Sequence, residues 1–111
     1  MNYYFILATQ KFLFEKEPLE EVLREKNQYY KKNNKVVDFW IVPDPKFLDS
    51  NEDQIKQLKE KFSSPVVSII STDKTFITWL KLRYQNVVSG QFNAPSFSIK
   101  NPLEYNLGNS F

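Results

Sequence analysis

Two periodicities of apolar and polar residues divide the chain into predicted strands and helices. Both alternating sets of side chains between Tyr3 and Ala8 are aromatic or aliphatic, which predicts a strand covered on both faces. From Pro18 the apolar positions instead recur every three or four residues, with glutamates at the start and lysines at the end, as the helix dipole favours. The helix predicted here stacks Leu19, Val22, Leu23, Lys26 and Tyr30 on one side.

The segment Val36–Val42 has the clearest strand pattern in the chain, and two prolines follow it. Strict alternation places Asp38 and Trp40 on one face of this strand and Phe39 on the other. An ionised carboxylate on an otherwise apolar face is costly unless it is paired or hydrated. The environment of Asp38 therefore requires an explanation.

A peripheral helix and two further strands are predicted in the second half. Ser50–Asp53 has the serine-x-x-acid form of a capping box, which precedes a helix. That helix has a narrow apolar stripe formed by Ile55, Leu58 and Phe62. Val66–Ile70 is the third predicted strand, and a short fourth strand covers about residues 87–92. The remaining segment, 93–111, is expected to lie across the surface of the core.

The stretch Ser71–Arg83 contains the start of an amphipathic helix, with Thr72 or Asp73 as its N-cap. On a helical wheel of ~100° per residue, one face is apolar and the opposite face polar. Trp79 lies on the flank of the apolar face, and Arg83 lies near it rather than among the polar residues. The apolar face consists of Phe76, Ile77, Leu80 and Tyr84.

The order of elements, in which strands and helices alternate, predicts a four-stranded sheet. Helices cover both of its faces, or helices cover one face and a partner the other. The pattern leaves strand direction open, because helical connections favour parallel neighbours whereas a split, ferredoxin-like arrangement is antiparallel. A chain of 111 residues without an internal linker is expected to be one domain, with the sheet and helices in residues 1–92 and the tail packed on them.

The composition excludes more chemistry than it suggests. The chain has no Cys and no His, so it cannot form thiolate sites, Ser-His-Asp triads or Glu-x-x-His di-iron centres by itself. Two glycines cannot form a phosphate-binding loop, so no nucleotide cofactor is expected. No loop has the spacing of oxygen ligands that a Mg²⁺ or Ca²⁺ site needs, so no metal is expected either. The net charge of +2 does not favour a nucleic-acid partner, and no apolar run approaches the ~20 residues of a membrane span. We therefore expect a soluble protein that is not an enzyme.

One set of residues is open to two interpretations: Asp38, Phe39, Trp40, Trp79 and Arg83. In the first, Asp38 and Arg83 form an internal ion pair among core aromatic residues. In the second, tryptophan and arginine are the anchors of a surface that binds another protein. The choice depends on solvent exposure.

Four stretches resemble one small family of oxygenic phototrophs. They are Tyr-Tyr-Phe-Ile-Leu-Ala at 3–8, Glu-Pro-Leu-Glu-Glu-Val-Leu-Arg-Glu at 17–25, Val-Asp-Phe-Trp at 37–40 and Ser-Thr-Asp-Lys-Thr-Phe-Ile-Thr-Trp-Leu-Lys-Leu-Arg at 71–83. Together they are similar to the hypothetical chloroplast reading frame fifty-four family. The similarity covers nearly the whole chain and is weakest beyond about residue 92.

The resemblance implies an α+β fold, a single domain with a four-stranded antiparallel sheet flanked by α-helices. It also implies an accessory role in chlorophyll biosynthesis, in which the protein binds and supports the catalytic subunit of the aerobic di-iron magnesium-protoporphyrin IX monomethyl ester cyclase. The implied location is a cyanobacterial cytoplasm or a plastid stroma, with thylakoid association only through that partner. Asp38, Phe39 and Arg83 match the partner-binding surface proposed for the family, and Trp40 and Trp79 are their neighbours in our assignment.

An alternative hypothesis is a carrier that presents a tetrapyrrole to the cyclase. In this hypothesis the macrocycle lies against Trp40 and Trp79. Without histidine, a water molecule or a carboxylate has to serve as the axial ligand of the metal. The oligomeric state is left open.

Overall fold

The computed structural model describes residues 1–16, 19–49, 55, 57–58, 61–62, 65–84, 87–96 and 99–105. The strands are β1 (Asn2–Thr9), β2 (Trp40–Pro43), β3 (Val66–Ser71) and β4 (Val88–Asn93), and the α-helices are α1 (Leu19–Lys32) and α2 (Lys74–Arg83). A π-helix spans Phe12–Lys16 and a 3-10 helix spans Lys46–Asp49. The predicted capping box at Ser50–Asp53 lies outside the described residues.

The four strands form one antiparallel sheet in the order β2-β3-β1-β4. The predicted α+β class is therefore confirmed, and the parallel alternative is wrong. In the register of the sheet, Phe5 on β1 lies opposite Ile70 on β3 and Gly90 on β4. Residues Phe5–Ala8 are fully buried, because β1 is a central strand with apolar side chains on both faces.

One face of the sheet is covered by α1 and α2. Both helices turn their apolar side toward this face, as their periodicity predicts. The core between them and the sheet contains Ile6, Ala8, Leu13, Leu19, Val22, Leu23, Val67, Ile69, Phe76, Ile77, Leu80, Tyr84 and Val87.

The opposite face is covered by the 3-10 helix and by residues near the C-terminus. Ile55 is buried there, and Leu58 and Phe62 pack at its edge, as expected for the narrow stripe of the predicted second helix. The core on this side contains Phe5, Leu7, Val42, Phe47, Leu48, Val66, Ile70, Phe92, Ala94 and Ile99 in addition. Helical or irregular segments thus cover both faces of the sheet.

The strand predicted at Val36–Val42 is shorter than expected, since β2 begins only at Trp40. Val36 is 90% exposed, and residues 35–39 have no regular secondary structure. The main-chain carbonyl of Asp38 accepts a hydrogen bond from the Ser71 hydroxyl at 2.6 Å instead of joining a strand ladder. Alternation alone could not reveal this competing side-chain bond.

The ends of the two helices follow from their local sequence. The carboxylate of Asp73 accepts hydrogen bonds from the backbone N–H groups of Thr75 and Phe76 at 3.0 and 3.2 Å, so Asp73 is the predicted N-cap of α2. The chain leaves α1 through Asn34, whose φ of 54° is the left-handed conformation common after a helix C-terminus. Within the described ranges, no helix is both long and apolar enough to cross a bilayer.

Candidate partner-binding surface

The carboxylate of Asp38 is bound to the turn that precedes α2. The backbone N–H of Thr72 donates to Oδ1 of Asp38 at 3.1 Å, and the Thr72 hydroxyl donates to Oδ2. Both carboxylate oxygens therefore have a partner, and hydrogen bonds to an ionised acceptor are stronger than neutral ones. This arrangement explains how an acidic residue is tolerated in a half-buried position beside the core.

A second connection runs through the main chain of Asp38. Its carbonyl accepts from the Ser71 hydroxyl, and that same hydroxyl oxygen accepts from the N–H of Asp73 at 2.9 Å. Since Asp73 is the N-cap of α2, the hydrogen bonds lead from the segment before β2 directly into the first turn of the helix. We call the bonds among Asp38, Ser71, Thr72 and Asp73 the Asp38 clamp.

Tyr30, at the end of α1, borders the Asp38 clamp. Its hydroxyl donates to the Asp38 carbonyl at 3.4 Å. Burial raises the pKa of the Tyr30 phenol above its ordinary value of 10.0, and the negative charges of Asp38 and Asp73 raise it further. The phenol is therefore a neutral hydrogen-bond donor at physiological pH.

A row of aromatic rings links the clamp to the middle of α2. Phe39 lies between Tyr30 and Phe76, with ring centroids 6.3 and 5.9 Å apart. Phe76 in turn is stacked with Trp79 at a centroid distance of 6.5 Å and an interplanar angle of 18°. Phe39 is thus a half-buried support for α2, and the exposed indole of Trp79 rests on a packed ring.

Lys26 of α1 reaches toward the same rings. Its Nζ lies 4.8 Å from the ring centroids of Tyr29 and Phe76 and 5.1 Å from that of Tyr30, a geometry suited to cation–π attraction. A groove of about 360 Å³ separates α1 from α2 at this point. Its lining residues are Val22, Glu25, Lys26, Tyr29, Asp73, Thr75, Phe76 and Trp79.

The outward side of α2 presents apolar side chains to solvent. Trp79 is 46% exposed and Leu82 is 77% exposed, and a spacing of three residues places them next to each other on the helix surface. Arg83, one turn after Trp79, is also exposed. We call the exposed residues Thr75, Thr78, Trp79, Leu82 and Arg83, together with Lys74, the α2 face.

The structure brings together four of the five candidate residues in or beside α2. Asp38 and Phe39 hold the helix from its inner side, and Trp79 and Arg83 project from it. The ion pairs found among the described residues join Arg24 to Glu20 and Lys46 to Glu104, so the first of the two interpretations, in which Asp38 pairs with Arg83, does not hold. Thr72, not Arg83, satisfies the carboxylate.

Trp40 does not belong to this group. It packs against the core on the other face of the sheet, together with Phe5 and Val42. Because Trp79 is on a helix that covers the first face, one macrocycle cannot lie against both indoles. The arrangement therefore does not support the carrier hypothesis in the form that uses Trp40 and Trp79.

Two residues of this surface were not recognised from the sequence. Leu82 falls opposite the buried face on a helical wheel. An apolar residue at such a polar position is a signal in the sequence that could have identified it as exposed. The sequence predicts for Thr72 only an N-cap role, whereas its contact with Asp38 spans 34 residues of sequence. No local pattern indicates a bond of that separation.

Metal binding finds no support in the described part of the chain, where no group of three or more Asp, Glu, His or Cys side chains could hold an ion. What the surface offers is a preformed helix with exposed aromatic, aliphatic and cationic side chains. Such a combination suits recognition of another protein.

Comparison with known proteins identifies the relatives of the chain. The family model described as Ycf54 protein matches residues 1–94. A "Ycf54-like protein" of the cyanobacterium Synechocystis is 48% identical over 102 residues, which are 92% of this chain and 75% of that protein. "Protein YCF54, chloroplastic" of Arabidopsis thaliana is 37% identical over 96 residues, covering 86% of this chain and 44% of the relative. The crystal structure of the Ycf54 protein from Thermosynechococcus elongatus is 43% identical, covers 100% of both chains and superposes with a TM-score of 0.87.

Proposed function

The chain belongs to the Ycf54 family, and from this premise we propose that it is a non-catalytic accessory protein of chlorophyll biosynthesis. In this role it binds and supports the catalytic subunit of the aerobic di-iron magnesium-protoporphyrin IX monomethyl ester cyclase. It works in a cyanobacterial cytoplasm or a plastid stroma and reaches the thylakoid membrane only through this partner. The names of its relatives, cyanobacterial and chloroplastic, fit these compartments.

The absence of histidine supports a binding role rather than a catalytic one. A di-iron oxygenase of the carboxylate type takes Glu-x-x-His ligands from its helices, and this chain contains no His at all. The iron and the oxygen chemistry therefore belong to the partner. The accessory protein contributes contacts that favour the assembled enzyme.

The observation that carries the proposal is the position of Arg83 and Trp79 on the exposed side of a helix that Asp38 and Phe39 hold in place. Three of these four residues match the family's proposed partner-binding surface, and we propose different roles for them. Arg83 and Trp79 are available for direct contact. Asp38 and Phe39 act as positioning residues, since their polar and aromatic groups are directed to α2.

Co-purification with the cyclase catalytic subunit tests this function. Wild-type protein is expected to capture the subunit, and Arg83→Ala is expected to capture markedly less, because an exposed arginine anchor is lost. Arg24→Ala is the matched control, since Arg24 is also exposed but lies on α1. Thermal unfolding of all three proteins verifies that the fold is retained.

Failure of the wild-type protein to capture the subunit would overturn the proposed function. Equal capture by the Arg83→Ala and wild-type proteins, with equal unfolding temperatures, would overturn the role of Arg83. Both results come from capture and unfolding measurements, so neither requires cyclase activity to be measured.

A further inference from the structure

The α2 face carries positive charges that no acidic residue of the helix itself balances. The helix carries Lys74, Lys81 and Arg83 and no acidic residue. The nearest acid in sequence, Asp73, is used to cap the helix, and the Nζ of Lys81 donates to the Val87 carbonyl. Lys74 and Arg83 are therefore the cations that α2 presents to solvent.

These two cations flank the apolar part of the face. With ~100° between successive residues, Thr75, Thr78 and Leu82 form the centre of the exposed side, with Trp79 beside them. Lys74 then falls ~70° to one side of this centre and Arg83 ~110° to the other. The exposed side of α2 thus has two apolar residues, Trp79 and Leu82, next to two threonines, and a positive charge lies on each flank.

Trp79 is supported by packing as well as exposed. Trp79 rests on Phe76, which packs against Phe39, and the Asp38 clamp fixes the first turn of the helix. A preformed apolar anchor loses little conformational entropy when it binds. A single exposed leucine would need no explanation, but an adjacent, supported tryptophan is the residue type that most often dominates an interface.

We propose that the α2 face binds an acidic amphipathic segment of its protein partner. Apolar side chains of that segment cover Trp79 and Leu82, and aspartate or glutamate side chains meet Lys74 and Arg83. This inference rests on the proposed function, because it describes the chemistry of the cyclase subunit's contact with this protein. Charge complementarity of this kind sets orientation and association rate.

The size and charge of the surface favour a peptide segment over other anionic partners. A helix of ten residues is ~15 Å long, which matches two or three turns of a partner helix or a short extended segment. Nucleic acids are bound through many phosphate contacts, and Lys74 and Arg83 are only two cations. The adjacent groove is lined by Glu25 and Asp73 as well as Lys26, so it adds no net positive charge to that of α2.

Charge reversal on the α2 face tests the inference. The variant Lys74→Glu/Arg83→Glu is compared with Lys61→Glu/Lys100→Glu, which changes the net charge equally at exposed lysines outside α2. Reversal on α2 is expected to weaken binding of the purified catalytic subunit at least about tenfold at low salt, whereas the control changes it by less than about twofold. Leu82→Ser is expected to weaken binding by a similar factor at low and high salt, since it removes an apolar contact and keeps both cations.

Salt dependence provides the second measurement. Binding of the wild type is expected to weaken steeply as ionic strength rises, and binding of the reversed variant is expected to depend on salt weakly or in the opposite sense. A glutamate is favourable at the N-terminal end of α2 and unfavourable at its C-terminal end. The two substitutions therefore oppose each other through the helix dipole, and the reversed variant is expected to remain folded. Circular dichroism and thermal unfolding check this.

Each outcome separates the two proposals. If the wild type does not bind the subunit, the proposed function fails and the inference fails with it. If the wild type binds and reversal on α2 has no more effect than the control, only the inference is overturned. The inference would also be contradicted if Lys74 and Arg83 were needed for binding to vesicles containing phosphatidylglycerol, or to a single-stranded oligonucleotide, but not for binding to the subunit.

Discussion

Replacing Asp38 with alanine is expected to destabilise the protein and loosen α2, although Asp38 lies outside that helix, in the segment before β2. The substitution removes the acceptor for the Thr72 N–H and for the Thr72 hydroxyl. Hydrogen bonds to a charged group contribute about 1.5–3 kcal/mol when intact. Because Asp38 is only half-buried, we expect a total loss of about 1.5–3 kcal/mol rather than twice that range. For a chain of this length, that corresponds to a decrease in Tm of roughly 6–12 °C.

A double-mutant cycle with Thr72→Val assigns this loss to the clamp. Valine keeps the shape and the backbone N–H of residue 72 but removes the hydroxyl, so the single variant is expected to lose about 1–2 kcal/mol. Since both substitutions break the same bond, the double variant is expected to be more stable than the sum of the two single effects by about 1 kcal/mol. Thr72→Ser, which retains the hydroxyl, is the matched control and is expected to stay within about 1 kcal/mol of the wild type.

Urea denaturation measures all four free energies, and capture of the catalytic subunit provides the functional readout. If Asp38 acts by positioning α2, Thr72→Val is expected to reproduce in part the binding defect of Asp38→Ala. Strict additivity of the two losses would refute the shared bond. A binding defect in Asp38→Ala that is absent from an equally destabilised Thr72→Val would instead indicate direct contact of Asp38 with the partner.

Other predictions concern the core and its titration. Gly90→Ala places a Cβ 2.7 Å from Cζ of the fully buried Phe5 ring, so we expect the free energy of unfolding to fall by about 1–3 kcal/mol. A decrease no larger than that of Ser89→Ala, in the same strand, would contradict this prediction. Tyr30 ionises near pH 10.0 when unfolded and at higher pH when folded, so the native state retains its proton longer and the free energy of unfolding falls as pH rises above 10.0. Tyr30→Phe is expected to reduce this alkaline loss in denaturation curves between neutral and alkaline pH, and an unchanged pH dependence would count against the raised pKa. Phe39→Ala is expected to lower the free energy of unfolding by less than the ~3–5 kcal/mol of a fully buried ring, because Phe39 is half-buried. It is also expected to weaken capture of the partner. An unchanged free energy of unfolding in urea would contradict the supporting role of Phe39.

Most of the fold follows from local pattern. The strand around Phe5 and the helices that begin near Leu19 and Asp73 were predictable because a period of two or 3.6 extends through each. The antiparallel order of the sheet was not determined by these periods, since it depends on which strands pair. The resemblance to a family supplied that part, and the register now confirms it.

The candidate surface was less predictable, because it depends on contacts between distant segments. Alternation through residues 36–42 ignored the bonds that draw Asp38 toward Thr72 and Ser71, so the strand was predicted too long. The same pattern grouped Trp40 with the candidate surface, whereas the sheet places it in the other core. The helical period places Trp79 on the flank of the apolar face, but its 46% exposure is known only from the structure.

Site-specific photo-cross-linking tests the central claim, that the α2 face contacts the cyclase catalytic subunit, most directly. A photoreactive phenylalanine derivative replaces Leu82, which is 77% exposed on this face, and in a control replaces Tyr105, which is 45% exposed and pairs with Pro45 next to the 3-10 helix on the other side of the sheet. Illumination of the mixture with the catalytic subunit is expected to produce a cross-linked species from position 82 and much less from position 105. Equal cross-linking from both positions, or cross-linking from position 105 alone, would contradict the account.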